Sequence, residues 1–293
     1  MNIDDLPALR SVLDTHNLAP TKALGQNFLL DLNLTARIAR SADPLDGCNL
    51  IEVGPGPGGL TRALLQTQAQ SVLVIEQDRR TAPILEQLAQ TREGLEKGLE
   101  VRFEDALAVD LLHEVSAPRA IVANLPYNVA TPLLVAWLRD LWREAGAYRS
   151  LTLMFQREVV DRITAQPGDK AYGRLGVLTA LTVAAAERQF DVPAQAFTPP
   201  PKVTSAIVRL DARADVPGPL ALFAQIERVT AAAFGQRRKM LRQSLKSIVP
   251  QAEAFLEALE IPPTARAEER PPEDFRRIAE AIWFSWVRLS EAF

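Results

Sequence analysis

The stretch Leu50-Ile51-Glu52-Val53-Gly54-Pro55-Gly56-Pro57-Gly58-Gly59-Leu60 decides the fold. A short apolar run meets a turn of glycine and proline, and the amphipathic stretch Leu60–Gln68 follows. Outward from it the alternation repeats. Runs at Asn49–Val53, Ser71–Glu76, Leu99–Phe103, Arg119–Ala123, Leu151–Phe155, Thr182–Phe190 and Val203–Leu210 read as strands. Helical patterns such as Arg79–Gln90 and Pro132–Glu144 lie between the earlier ones, which predicts an α/β sheet with crossover helices. Pro193 and the triplet Pro199-Pro200-Pro201 separate the last two runs, so these are expected as an antiparallel addition at the sheet edge. Ahead of the sheet, Leu6–His16 reads as a short helix and Asp31 as the N-cap of Leu32–Ser41. Beyond a proline-rich linker at 211–219, helical periodicity dominates 220–249, 251–259 and 273–289. The expected division is a sheet domain over residues 1–210 and a small all-α domain over 211–293.

Composition excludes several function classes. At 293 residues, 47% hydrophobic and 24% charged, the chain has the make-up of a globular protein with one large core or two smaller ones. No apolar run reaches the roughly 18 residues of a membrane-spanning helix. Asp4 and Asp5 and the lack of an apolar segment in the first ten residues argue against a secretory signal, so a cytoplasmic location without membrane attachment is expected. Cys48 is the only cysteine, and His16 and His113 are the only histidines, neither with a ligand-spaced partner. No metal site and no Ser-His-Asp triad is expected. The net charge is −3, yet nine Lys/Arg stand against three acids between Lys202 and Lys246. That local excess suggests a basic face on an otherwise acidic body.

The glycine turn leaves its ligand open. Glycines let a backbone approach a ligand closely, and a helix N-terminus favours anionic groups. Gly54, Gly56 and Gly59 satisfy the dinucleotide pattern G-x-G-x-x-G, whereas Gly54, Gly56 and Gly58 satisfy the tighter G-x-G-x-G of S-adenosylmethionine enzymes. Glu76 ends the second strand 22 positions after Gly54, where a carboxylate can accept from a ribose diol. Asp105 follows the third strand and can accept from an adenine amino group. Asn124-Leu125-Pro126-Tyr127-Asn128 leaves the fourth strand with an amide, a proline-stiffened turn and an aromatic ring. Pro126 biases Leu125 to extended geometry, so the Leu125 carbonyl and the Asn124 side-chain oxygen form a pair of acceptors suited to an exocyclic amino group. Tyr127 offers a face on which a base can stack. Successive strand ends carrying these groups are expected to converge on one crevice at the carboxyl edge of the sheet.

At this point the chain resembles the ribosomal RNA adenine N6-dimethyltransferases. Thr21-Lys22-Ala23-Leu24-Gly25-Gln26-Asn27-Phe28-Leu29 is similar to their K-x-x-G-Q-N-F-L motif, Ile51–Thr61 to their glycine motif, and Asn124–Asn128 to their N-L-P-Y-N motif. Three further segments match in order: Phe155–Arg162, Ala171-Tyr172-Gly173-Arg174-Leu175, and Ala196-Phe197-Thr198-Pro199-Pro200-Pro201-Lys202-Val203-Thr204-Ser205-Ala206. Ala233–Arg242 is similar to the family's F-x-x-R-R-K segment, and within the family the chain looks most like the bacterial branch acting on small-subunit (16S) RNA, with the resistance-conferring relatives that modify large-subunit RNA as the second choice. Two departures stand out. Pro55 and Pro57 stiffen the glycine turn, and Gly176 replaces a more usual serine, which is expected to loosen its loop.

The resemblance implies a Rossmann-like class I S-adenosylmethionine-dependent methyltransferase sheet, S-adenosyl-L-methionine as cofactor, and dimethylation of N6 on two adjacent adenosines. The partner implied is small-subunit ribosomal RNA in an immature 30S particle, with the chain acting as a monomer in ribosome biogenesis. Carried residue by residue, it gives Asn27, Leu29, Gly54, Glu76, Asp105 and Asn124 to the cofactor. Asn124, Leu125, Tyr127 and Phe197 go to the target adenine. Arg237, Arg238, Lys239, Arg242 and Lys246 go to RNA phosphates, with 238, 242 and 246 expected on one helix face. Two other classes share parts of the pattern. An NAD-dependent oxidoreductase has the glycine turn but leaves Asn-Leu-Pro-Tyr without a role, and a non-catalytic RNA-binding assembly factor would not need Asn124, Tyr127, Glu76 and Asp105 all present.

Overall fold

The computed structural model describes residues 1–21, 24–215 and 217–290. Lys22 and Ala23 of the N-terminal motif and Val216 of the linker therefore lie outside the described residues. Among the described residues are nine strands: β1 (Phe28–Leu29), β2 (Asn49–Val53), β3 (Ser71–Ile75), β4 (Glu100–Arg102), β5 (Arg119–Asn124), β6 (Ser150–Gln156), β7 (Val183–Val192), β8 (Phe197–Thr198) and β9 (Ser205–Ala212). Seven of them form one sheet in the order β4-β3-β2-β5-β6-β9-β7. β4, β3, β2, β5 and β6 run parallel, and β9 pairs antiparallel to β6 from Ser150↔Asp211 to Gln156↔Ser205. The edge addition is therefore the one the prolines predict.

The apolar runs become strands because the sheet is covered on both faces. Every residue of β2 is buried, as are Ala120 to Ala123 of β5 and Leu151 to Phe155 of β6. Continuous burial of this kind belongs to parallel sheets and explains why these runs show no polar alternation. Leu50, Val72, Val74, Ala120 and Val122 share one core with Ile38, Leu60 and Leu64 from flanking helices. Each such side chain contributes about 1.5–3 kcal/mol when fully buried. The helix Leu32–Ser41 is held at its start by the Asp31 side chain, which accepts from Asn33 N–H (2.9 Å) and Leu34 N–H (3.2 Å). From β2 the chain moves to β3 and β4 on one side and returns to β5 on the other. Between β2 and β5 the winding reverses, and open α/β sheets bind ligands at that point.

The contacts divide the chain into two compact units, one of 1–137, 146–160 and 187–212, the other of 138–145, 161–186 and 213 onward. The second unit thus takes in two stretches ahead of the 210/211 boundary. They carry part of its aromatic core: Trp142 meets Phe223 edge-on at 5.4 Å, and Tyr172 meets Phe234 at 5.8 Å. Its helices Arg174–Thr182, Leu220–Gly235 and Pro272–Ser290 pack on one another.

Three expectations need correction here. The helix after β5 starts at Tyr127, not Pro132, and contains Pro132. Pro126 O accepts from the Val129 and Ala130 amides and so starts the helix inside the motif. The periodicity over 220–249 is not one helix. The first ends at Gly235, and a short turn of helix, Leu241–Ser244, running into a 3-10 turn, Leu245–Ser247, follows. The Leu241 and Arg242 amides donate instead to Ala265 O (2.8 Å) and Pro263 O (3.0 Å), and Met240 bridges Arg266. Residues 238, 242 and 246 therefore share no helix. Finally, Gly176 is not in a loop. It is buried in the helix Arg174–Thr182, where a Cβ would lie 3.0 Å from Arg162 O and 3.3 Å from Ala165 O. The glycine permits a close approach of backbone rather than mobility. No helix among the described residues is long and apolar enough to cross a membrane.

Candidate active site

A cleft of about 740 Å³, part of it open to solvent, lies beyond the carboxyl ends of β2, β3 and β5. Leu24 to Leu29 form one wall, Gly54 to Pro57 with Gly59 and Leu60 another, and Glu76, Asn124, Leu125, Tyr127 and Phe197 complete it. Gly54 has φ +72°, which favours glycine, and a Cβ there would sit 3.3 Å from Pro126 Cδ. Gly59 answers a different demand: a Cβ would meet the Leu29 carbonyl oxygen at 2.7 Å. The glycine turn thus lets the segments carrying Pro126 and Leu29 close against it.

Glu76 is 7% exposed and braces that turn. Its Oε2 accepts from Gly56 N–H at 3.0 Å, and its Oε1 accepts from the Gln77 and Asp78 amides at 2.8 Å each. Burial pushes its pKa up, and the three amide hydrogen bonds oppose that. A carboxylate has about four lone-pair sites, so acceptor capacity remains for a ligand hydroxyl.

Asn124 ends β5 half-buried, and its side-chain amide has no protein partner among the described residues. The Leu125 carbonyl receives no backbone N–H among the described residues, because Pro126 O takes the first amides of the helix. Tyr127 lies half-buried at the cleft, its hydroxyl 2.5 Å from Ser205 Oγ on β9. Ser205 is fully buried, so it fixes the far end of the Tyr127 ring. Burial raises the Tyr127 pKa, so the ring is a neutral phenol at physiological pH. Phe197 reaches the cleft through pairing invisible in the sequence: β1 and β8 form a two-stranded ribbon with Leu29 opposite Phe197. Two-residue strands show no periodicity, so only the folded chain reveals this link.

Glu52 was not singled out from the sequence, yet it lines the cleft and is 1% exposed. The available signal was a carboxylate inside an otherwise apolar strand. Burial pushes its pKa from 4.5 up to about 8, the Thr61 hydroxyl (2.7 Å) opposing this and the charge of Glu76 adding to it. The folded value lies above the unfolded one. The stability gained by keeping this carboxyl protonated is therefore complete below about pH 4.5 and lost as pH rises through about 8. Glu52→Gln keeps an acceptor for Thr61 and cannot ionise. It is expected to unfold at a higher temperature than the parent at about pH 8 and to match it near pH 4.5, in thermal unfolding of the unliganded protein. Parallel curves across that range would show that Glu52 is not held neutral.

Not every expected residue comes to the cleft. Glu104 N–H donates to Glu76 O at 3.1 Å, but Asp105 is exposed and does not line the cleft, and its Oδ1 accepts from Leu107 N–H at 3.0 Å. Asn27 and Leu29 do line it, and Asn27 Nδ2 donates to Gly25 O at 3.3 Å. In the second unit, Arg237 pairs with Glu268 (2.5 Å) and Arg242 with Glu253 (2.5 Å). Arg238, Lys239 and Lys246 are exposed with no ion-pair partner among the described residues.

The parallel sheet, the glycine turn after β2 and the acid after β3 are the frame of a class I S-adenosylmethionine-dependent methyltransferase, the class of the solved structures it matches. A family model for ribosomal RNA adenine dimethylase matches residues 18–283. The ribosomal RNA small subunit methyltransferase A of Ruegeria sp. (strain TM1040) is 54% identical over 281 residues, covering 96% of this chain and 98% of that protein. Its namesake from Azorhizobium caulinodans is 55% identical over 282 residues, covering 96% and 94%. Among solved structures, the 23S rRNA methyltransferase ErmE has a TM-score of 0.63 at 30% identity, over 87% of this chain and 99% of that one. A dimethyladenosine transferase from Plasmodium falciparum shares the fold with a TM-score of 0.69 at 24% identity, over 85% and 94%. The chain belongs to the ribosomal RNA adenine dimethylase family, enzymes that take their methyl groups from S-adenosylmethionine. The ambiguity of the glycine pattern is thereby resolved, and the oxidoreductase reading ends.

Proposed function

We propose that this chain dimethylates N6 of two adjacent adenosines in small-subunit (16S) ribosomal RNA, acting as a monomer on an immature 30S particle in the cytoplasm. The observation that carries the reading is the unpartnered Asn124 amide beside the Leu125 carbonyl, in the same cleft as Gly54 and Glu76. The glycine turn and the buried acceptor at Glu76 fit a nucleoside cofactor. S-adenosylmethionine supplies, when bound, a methyl group activated on a sulfonium. Asn27, Leu29 and Gly54 would hold its methionine side and Glu76 its ribose, and Asp105 would receive its adenine at the rim. The exit of β4 beside Glu76 supports that last role.

The remaining work is positioning. Adenine N6 is a poor nucleophile because its lone pair is delocalised into the ring. Asn124 Oδ1 and Leu125 O would accept the two N6 hydrogens and favour a pyramidal nitrogen, an interaction stronger in the transition state than in the ground state. Tyr127 and Phe197 would clasp the adenine once it leaves its stack, and the Ser205 hydrogen bond would keep the Tyr127 ring in one orientation. The nitrogen would lose its proton after becoming cationic, which suits a site lined by no histidine. Labelled S-adenosylmethionine, incubated with unmethylated small ribosomal subunits and followed by nucleoside analysis, tests the assignment. Label in N6,N6-dimethyladenosine of the small-subunit RNA is the expected result.

The second unit would bind RNA through its basic surface. Arg238, Lys239 and Lys246 are the stronger contributors, since Arg237 and Arg242 already face carboxylates. Replacing Arg238 and Lys239 with Ala is expected to weaken binding to the particle and flatten its log–log salt dependence by roughly one unit per lost phosphate contact. Folding should change by less than about 1 kcal/mol, since exposed charges contribute little. Filter binding across ionic strengths decides, and an unchanged slope would leave this surface merely solvated.

A further inference from the structure

Asp78 is 5% exposed, and no role described so far uses its side chain. Its Oδ2 accepts from Gln26 Nε2 (2.9 Å) and Arg80 Nη2 (2.6 Å), and its Oδ1 from the Arg80 amide (3.1 Å) and Nε (2.9 Å). Gln26 Oε1 in turn accepts from the Thr21 amide at 2.9 Å. Arg80 donates onward to Thr21 Oγ1 (2.7 Å) and Ala19 O (3.2 Å). These bonds fasten Ala19, Thr21 and Gln26 to the exit of β3. The same exit carries Glu76, whose Oε1 receives the Asp78 amide.

The fastened chain continues directly into the wall of the cleft. Asn27 and Leu29 follow Gln26, and Leu29 is then pinned a second time by its pairing with Phe197. Asn27 thus stands between two anchors, one on the cofactor side of the site and one on the adenine side. The charges also fit a latch. Burial is the main cause that raises the Glu76 pKa; the Asp78 amide lowers it and the Asp78 charge adds a smaller upward push, so an unpaired carboxylate there would oppose ionisation of the cofactor-facing acid. The Arg80 guanidinium compensates, and its hydrogen bonds hold the Asp78 carboxyl below the usual range.

We propose that Gln26, Asp78 and Arg80 form a latch that sets the cleft's affinity for its cofactor by holding Asn27 and Leu29 in place. They are positioning residues, acting through the chain segment they fasten. The proposal rests on the reading of the cleft as an S-adenosylmethionine site.

The test is calorimetric binding of S-adenosylhomocysteine to the full chain. Gln26→Glu sets carboxylate against carboxylate, and Asp78→Asn removes the charge that holds Arg80. Each is expected to weaken binding about tenfold, as for a lost charged hydrogen bond. The double variant exchanges amide and carboxylate and so restores the pairing, and its affinity should return to within about threefold of the parent. Arg80→Ala, at a side chain 46% exposed, should weaken binding about fivefold. Hydrogen exchange at the Thr21 amide, which donates to Gln26 Oε1, should quicken in both single variants and slow again in the double. Parent affinity in the single variants, or a double variant as weak as the two losses combined, overturns the latch. A parent that fails to bind S-adenosylhomocysteine overturns the cofactor reading itself, and the latch with it.

Discussion

Asn124→Ala is expected to bind S-adenosylhomocysteine nearly as tightly as the parent while methyl transfer falls by at least about a hundredfold, the scale of losing one positioned polar group at a reacting centre. The side chain ends a largely buried strand, whose backbone pairs with β6 as far as Asn124, and has no protein partner among the described residues, so its removal disturbs little of the fold. What disappears is one of two acceptors for the N6 hydrogens, and with it the bias toward a pyramidal nitrogen. Asn124→Asp separates geometry from chemistry. It retains the acceptor but brings a charge near Glu76 and Glu52, both already raised in pKa by burial. Single-turnover transfer beside calorimetry distinguishes the cases. If rate and cofactor affinity fall together in Asn124→Ala, the residue serves the cofactor and not the adenine.

Glu76→Ala should damage both the site and the fold. Three amides lose their acceptor, and those of Gly56 and Asp78 belong to buried residues. Each buried donor left unsatisfied costs about 1–3 kcal/mol. Stability should therefore fall by about 2–4 kcal/mol, and S-adenosylhomocysteine affinity by at least about tenfold, because the turn that forms one wall of the cleft loses its brace. Glu76→Gln keeps one acceptor and should lie between the two. Urea unfolding and calorimetry on the same preparations provide the check. Lost affinity at unchanged stability would mean that the carboxylate serves the ligand alone, and unchanged affinity would move the cofactor elsewhere.

The parts of the site that were legible in the sequence are those whose cause is local. Asn124 follows four apolar residues and precedes a proline, so its place at a strand end needs no distant contact. Glu76 was recognisable as a strand-end acid, but its bonds to Gly56, Gln77 and Asp78 were not, since they depend on β2 and β3 being neighbours. The basic segment illustrates the opposite failure. Helical spacing placed 238, 242 and 246 on one face, whereas the Leu241 and Arg242 amides bond to carbonyls more than twenty residues away and no single helix runs through all three. Charge counting likewise could not see that Arg237 and Arg242 were already paired.

By itself the sequence determined the alternating α/β order, the antiparallel edge, the glycine turn and the groups at the strand ends. Each follows from hydrophobic runs, from proline's missing N–H or from the freedom of glycine, all properties of a few adjacent residues. Tertiary structure alone decided that Phe28 and Leu29 pair with Thr198 and Phe197, that Gln26 reaches Asp78, and that Ser205 meets Tyr127. It also decided that Glu52 is kept from water and that Asp105 is not. The reason is common to all of them. Partners separated by 52 to 170 positions leave no period in the chain, and the burial of a carboxylate is set by whatever the rest of the fold lays over it.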